Sequence, residues 1–339
     1  MLYRAIWTLY LTPSTSVLKP PPATPWQDYS LILYAYLRNL EGVKQTLREG
    51  ADPNLVLNGH TPLLIATGNN DKQMVHFLLN LKTVEVDHRS IYGNSALMIA
   101  VRNGFDEISS MLIDAGATVD LANNLGRTPL HEATFRENFV LVRLLVKQKH
   151  KLDVADCFGE RPIYTCSVKK PNIFLLNILL AAGACSEYEN ETGMSLLSRV
   201  ILNEDNFGIV RRLVLGGADV NHQDRFCKRS PLHMAAIINS SRTAKFLVDH
   251  GSNPNLKTIS GLTPFDMALY YRCFETAEYL MGQTNKAAIR MANFNQTLLS
   301  RLPHHKSAAF LLKTCNSLSE DFVPPKKFKL SPKKSKTVV

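Results

Sequence analysis

Gly126-Arg127-Thr128-Pro129-Leu130-His131-Glu132-Ala133 is the stretch that decides the fold. Thr128 suits a helix N-cap, because its hydroxyl accepts an otherwise orphaned helix N–H. Pro129 follows at the first helical position, where its fixed φ fits the helix and its missing N–H is no loss. Leu130 and Ala133 then pack inward on a short helix. The pattern returns as Arg229-Ser230-Pro231-Leu232-His233-Met234-Ala235-Ala236 and as Gly261-Leu262-Thr263-Pro264-Phe265-Asp266-Met267-Ala268. A Gly stands two places before each such tetrapeptide at Gly59, Gly93, Gly126, Gly159, Gly193 and Gly261, with Lys228 on the missing rung, at a period of 33 to 35 residues. A fixed period of this length marks a stacked repeat. Stacked repeats build long binding surfaces rather than catalytic pockets.

A second ladder closes each repeat: Gly50, Thr83, Gly116, Lys149, Gly183, Gly217 and Gly251. Gly just past a helix suits a left-handed C-terminal cap. Ahead of these rungs lie apolar residues at helical spacing, such as Val142, Leu144, Leu145 and Val146. Each repeat therefore reads as two short helices and a projecting turn. Thr83 and Lys149 depart from Gly, which costs about 1 kcal/mol or forces another turn. The sixth repeat carries Asn203-Glu204-Asp205-Asn206-Phe207-Gly208 between its helices, so a longer inter-helix loop is expected there, with the middle repeats the least regular.

The two ladders together resemble the ankyrin repeat, whose signature is Thr-Pro-Leu-His within 33 residues. The resemblance covers residues 28–285. Seven turn rungs and a leading helix pair from Tyr29 to Glu49 imply an all-α solenoid of about eight helix-pair repeats with β-turn fingers. It implies a non-enzymatic protein-binding scaffold or adaptor without a cofactor, and it places His131 and His233 where the ring bonds turn backbone. Flanking segments are expected at residues 1–27, Pro-rich, at 286–322, helical, and at 323–339, basic.

Composition narrows the class. No run approaches the roughly 20 apolar residues of a membrane helix. The first acidic residue is Asp28, which admits a weak presequence reading of Met1 to Leu11, although a Pro-rich lead is preferred. Six cysteines include no Cys-x-x-Cys pair, which favours reduced thiols inside the cell, in cytoplasm or nucleus. The sequons at Asn190, Asn239 and Asn295 are then chance matches. Formal charge is +10, and six lysines at Lys326, Lys327, Lys329, Lys333, Lys334 and Lys336 concentrate much of it in one tail.

Catalytic chemistry finds no support. His131-Glu132-Ala133-Thr134-Phe135 opens like a zinc-protease helix, but Phe135 stands where the second His is required. No phosphate loop, nucleophile elbow, Ca²⁺ loop or Cys/His metal spacing occurs.

Two rows of side chains are candidates for binding a protein ligand by a monomer. One precedes the turn Gly: Arg89 and Tyr92, Leu125, Phe158, and Arg225 with Phe226. The other ends each first helix on the inner face: Arg102, Phe135 with Arg136, Lys169, and Tyr270 with Tyr271. Aromatic and Arg side chains are common interface anchors. Their mixture favours an acidic or amphipathic protein segment.

Beyond Asn285 the period fails. Thr297-Leu298-Leu299-Ser300-Arg301-Leu302, followed by Phe322-Val323-Pro324-Pro325, resembles a degenerate SOCS box. That resemblance implies an elongin B/C contact through Leu298 and Leu302 and a cullin ubiquitin ligase. A helix capping the last repeat is the alternative. The lysine cluster resembles a nuclear import signal read by importin, with Ser331 a proline-directed phosphosite beside it. Nothing points to specific nucleic-acid recognition.

Overall fold

The computed structural model describes residues 26–148, 151–190, 192–204 and 206–284. Among them are sixteen helices and no strand, with two isolated antiparallel bridges, Leu57 to His60 and Glu189 to Ser195. The helices form eight successive pairs: α1 Trp26–Tyr36 with α2 Leu40–Arg48, α3 Pro62–Gly68 with α4 Lys72–Leu79, α5 Ala96–Asn103 with α6 Asp106–Asp114, and α7 Pro129–Phe135 with α8 Phe139–Val146. Next come α9 Pro162–Tyr164 with α10 Ile173–Ala181, α11 Leu196–Glu204 with α12 Phe207–Leu215, α13 Pro231–Ile237 with α14 Ser241–Asp249, and α15 Pro264–Tyr270 with α16 Phe274–Met281. The repeats fall into two compact bodies that divide after Ser186, five in the first and three in the second.

The local chemistry explains each pair. Thr61 caps α3 by accepting from the Leu64 N–H at 3.2 Å, and Ser95 caps α5 through the Met98 N–H at 3.2 Å. Asp71, Asn138, Asn206 and Ser240 cap the second helices in the same way. First helices bury nearly their whole length: Pro129, Leu130, His131, Glu132, Ala133 and Thr134 are all inside. Second helices bury one stripe, as Leu141, Val142 and Leu145 do in α8. Removing a buried Leu such as Leu145 would cost about 2–5 kcal/mol.

The cap rungs Gly50, Gly116, Gly183, Gly217 and Gly251 all lie in the left-handed region, at φ of 96°, 90°, 94°, 93° and 91°. Lys228 adopts φ 56° on its turn rung in place of Gly. Thr83 does not go left-handed. The chain there makes a tighter turn, with Leu81 N–H donating to Leu78 O and Val84 N–H to Leu81 O. Lys149 lies outside the described residues.

The middle repeats deviate as expected, by a different device. In repeats 2, 3, 4, 7 and 8 the second N-cap follows the first by ten residues, but Arg161 to Asn172 and Ser195 to Asn206 take eleven. Repeat 5 absorbs its additional residue in a π-helical turn over Thr165–Lys169, closed by Lys170 N–H donating to Thr165 O at 2.8 Å. Repeat 6 does not form the longer loop expected. Its first helix α11 grows to nine residues against seven in α7, and α12 starts at Phe207. Lengthening a helix satisfies backbone groups that a loop would leave to water.

Candidate functional site

The projecting turns are built by one short polar side chain each. Asn123 Oδ1 accepts from the N–H groups of Leu125 and Arg127 at 3.0 and 3.1 Å. Asp156 Oδ1 does the same for Phe158 and Glu160 at 2.9 and 3.0 Å, and Asn190 Oδ1 for Thr192 and Met194 at 3.0 and 2.9 Å. Ser90 and Thr258 hold their turns through their hydroxyls, and Asp224 receives the Cys227 N–H at 2.6 Å. This row, three residues before most turn glycines, was missed in the sequence. Its signal is the recurrence of Ser, Asn, Asp or Thr there, since these side chains close turns by bonding backbone just ahead.

Ionic contacts stiffen the same turns. Arg127 Nε lies 3.3 Å from Asp156 Oδ2, one repeat on, and 3.6 Å separates its guanidinium from Glu132. Arg229 pairs with the buried Asp224 at 2.9 Å. His131 accepts the Thr128 N–H on Nδ1 at 3.1 Å and donates from Nε2 to the Glu160 carbonyl at 3.0 Å. Burial holds its pKa below the ordinary imidazole value. It is thus a neutral clamp between consecutive turns, as the resemblance implied.

What these braced turns present is apolar. Ile91, Tyr92, Leu125 and Phe158 in the first body, and Phe226 and Ile259 in the second, are between 50% and 77% exposed. Ile91 and Ile259 extend the expected row of Tyr92, Leu125, Phe158 and Phe226. Arg89 and Arg225 serve the turns beneath. Arg89 Nε donates to Gly93 O at 3.1 Å, and Arg225 reaches Glu189 at 3.0 and 3.2 Å.

The inner row is more mixed. Arg102 and Arg136 are exposed. Lys169 is exposed and pairs with Glu160. Phe135 is half-buried, with Lys170 Nζ 4.3 Å from its ring centre. Tyr270 and Tyr271 stack edge to face at 5.2 Å and stay accessible. Tyr36 and Leu37 add exposed apolar surface at the same point of repeat 1. Beside them lies a pocket of about 280 Å³ lined by Ile32, Tyr36, Leu57, Ile65, Asn69 and Ile99.

Among the described residues no group of three or more His, Cys, Asp or Glu could hold a metal, and no helix is long and apolar enough to cross a membrane. Among the described cysteines Cys157 and Cys185 are exposed, and Cys166 and Cys273 are buried. Burial pushes Cys166 up to about 12, so it is a neutral core group and not a nucleophile. Leu298, Leu302, Ser331 and the lysines at 326, 327, 329, 333, 334 and 336 lie outside the described residues.

Comparison with known proteins agrees with this geometry. The family profile described as "Ankyrin repeats (3 copies)" matches residues 31–123 and 197–292, and "Ankyrin repeat" matches 125–157. The chain belongs to the ankyrin-repeat family. The stretch between these matches, residues 158–196, holds the π-helical turn of repeat 5, where the ankyrin pattern is most altered. SH3 and multiple ankyrin repeat domains protein 2 of Homo sapiens is 26% identical over 287 residues, 83% of this chain and 14% of that protein. A putative ankyrin repeat protein of Fowlpox virus (strain NVSL) is 33% identical over 133 residues, 38% of this chain and 39% of that protein. The crystal structure of the ankyrin repeat domain of Bcl-3 superposes with a TM-score of 0.58 at 25% identity, covering 62% of this chain and 95% of that one. The chain therefore spans between 14% and 39% of the length of these two curated relatives. Ankyrin stacks are protein–protein interaction scaffolds, and this chain is one by family and by fold.

Proposed function

We propose that this ankyrin chain is a non-enzymatic adaptor that holds an acidic, amphipathic protein segment along its finger tips and the inner face beside them. The observation that carries the reading is the exposed apolar row Ile91, Tyr92, Leu125 and Phe158, raised on turns that internal bonds already hold. Neighbouring repeats place such tips roughly 10 Å apart, the spacing of packed helices. Preformed turns lower the ordering cost of binding. Arg102 and Arg136, exposed at the ends of first helices, favour negative charge on the partner. The setting is intracellular, in cytoplasm, nucleus or both, with the lysine cluster as an importin ligand.

The test is affinity capture followed by direct binding of the recovered protein to purified chain. The comparison is wild type against Tyr92→Ser/Leu125→Ser/Phe158→Ser. A prey lost by the variant, at unchanged circular dichroism and with micromolar or tighter direct binding, supports the reading. Prey that bind both proteins alike overturn it. Recovery of elongin B/C and a cullin, dependent on Leu298 and Leu302, would support a ligase adaptor instead.

A further inference from the structure

In the first body the inner row of side chains falls three places ahead of each second N-cap. Tyr36 stands there in repeat 1, Arg102 in repeat 3, Phe135 in repeat 4 and Lys169 in repeat 5, ahead of Asn39, Phe105, Asn138 and Asn172. Repeat 2 breaks the row with Gly68, three ahead of Asp71. Nothing in the backbone asks for glycine here. Gly68 ends α3 and is not among the left-handed glycines, and in a helix alanine would be the more favourable residue. A Cβ on Gly68 would meet nothing within 4 Å. A pocket of about 280 Å³ opens at this gap, lined by Gly68 itself together with Tyr36, Leu57, Ile65 and Ile99.

Hydrogen bonds hold the edge of this pocket in place. Asn69, which also lines it, donates from Nδ2 toward the carbonyls of Ala35 and Tyr36 at 3.4 Å each, tying the end of α3 to the end of α1. The Asn69 carbonyl accepts from Arg38 Nη2 at 2.6 Å, which keeps an exposed guanidinium beside the pocket. Asn58 and His60, exposed on the finger of repeat 2, bring polar atoms to the lining. Among the described residues no acidic side chain lines it. Size then narrows the occupant. A dry cavity of about 150 Å³ already accepts benzene. Cofactor and drug sites run from roughly 300 to 1,000 Å³. At about 280 Å³ the gap suits one large ring that carries a polar atom, and is small for a nucleotide.

We infer that the Gly68 pocket receives a single Trp or Tyr side chain of the bound protein segment, whose ring fills the place where every other repeat of the first body carries a side chain of its own. The aliphatic lining takes the ring, and Asn58 or His60 meets its N–H or O–H, the usual division between the apolar body and polar tip of these residues. The Arg38 guanidinium favours an acidic residue next to that aromatic in the partner. Such a ring, set into a preformed hole, is the common form of an interface anchor. The inference rests on the reading of the inner face as a protein-binding surface, and it names the side chain that enters that face at repeat 2.

Titration of indole and of N-acetyl-tryptophanamide into the full chain, labelled at its isoleucine methyls, tests this by NMR. Saturable shifts are expected at Ile65 and Ile99, with Kd on the order of 1 mM, as suits so small a probe. Gly68→Leu, which puts a side chain into the gap, is expected to weaken both probes at least 10-fold while melting no lower than the wild type. Gly68→Ala, which leaves most of the space open, is expected to keep binding within about 3-fold, since a single methyl removes little of the volume. The Tyr92→Ser/Leu125→Ser/Phe158→Ser variant is expected to bind the probes as the wild type does, so the pocket is read independently of the finger tips. Absence of saturable shifts in the wild type would overturn the inference, as would equal binding by Gly68→Leu. A protein partner lost by the finger-tip variant but bound equally well by Gly68→Leu would overturn it and leave the finger-tip reading standing. A dimer of this chain that Gly68→Leu dissociates would place a second copy in the pocket and overturn it too.

Discussion

Nε2 of His233 sits 3.2 Å from the carbonyl oxygen of Leu262, in the turn of the following repeat. The other ring nitrogen is occupied by the Ser230 N–H and hydroxyl, so the imidazole works only as a neutral ring with its proton on Nε2. One side chain thereby ties a helix start to the next finger. That linkage makes the stack sensitive to acid.

Burial is the first cause that brings His233 down to about 4; the hydrogen bond to Leu262 and the charge of Asp224 oppose it, and Arg229 adds a smaller push downward. The unfolded chain takes a proton near the ordinary imidazole value of 6.5, while the folded chain resists until about 4. The stability from this group is complete above pH 6.5 and is lost as pH falls toward 4. The full loss is on the order of 3 kcal/mol. His131, lowered for the same reason, adds in the same direction. Urea midpoints at pH 7.5 and 4.5 should diverge more for the wild type than for His233→Gln. Equal divergence would refute the assignment.

Gly93 and Gly159 occupy equivalent turn rungs at φ 76° and 72°, yet their surroundings differ. A Cβ at Gly93 would lie 2.6 Å from the backbone N of Asn124, whereas nothing lies within 4 Å of one at Gly159. Gly159→Ala carries only the left-handed strain, about 1 kcal/mol. Gly93→Ala adds a clash with the next finger and should cost about 1–3 kcal/mol more. Thermal melts of the two variants settle the comparison.

Between the helices of most repeats one residue is left-handed: Arg38, Asn70, Gly104, Glu137, Asn239 and Arg272, with φ from 55° to 75°. Only Gly104 is free of the Cβ penalty. Glu137→Gly and Arg272→Gly should each raise stability by about 1 kcal/mol, and Gly104→Ala should lower it by a similar amount. Loss of stability in both Gly variants would show that the side chains outweigh the strain.

Thiol reactivity should follow burial. Cys157 and Cys185 are exposed and Cys166 is buried. An aromatic disulfide reagent at pH 8 should modify the first two at least 100-fold faster than Cys166, which should react only on unfolding. Mass spectrometry of the labelled peptides reads this directly.

The turn and cap ladders were legible because they reflect local backbone energetics. Thr128-Pro129 starts a helix and Gly116 or Gly217 ends one wherever the chain runs. The inter-helix rung was not legible, since Arg38, Glu137 and Arg272 are residue types that carry no mark of the left-handed backbone they adopt in the folded repeats. The finger row was half legible: Tyr92, Leu125, Phe158 and Phe226 stand out, while Arg89 and Arg225 look alike in the sequence as binding residues.

The sequence by itself determined the repeat, its period and the number of helix pairs, because N-caps, prolines and glycines act over a few residues. Tertiary structure decided what lies about one repeat apart. Glu189 pairs with Arg225 and Asp156 with Arg127, the Leu262 carbonyl receives His233, and an additional residue becomes a π-helical turn in repeat 5 but a longer helix in repeat 6. Those outcomes depend on which surfaces meet when repeats stack, and no short window of sequence contains both sides of the contact.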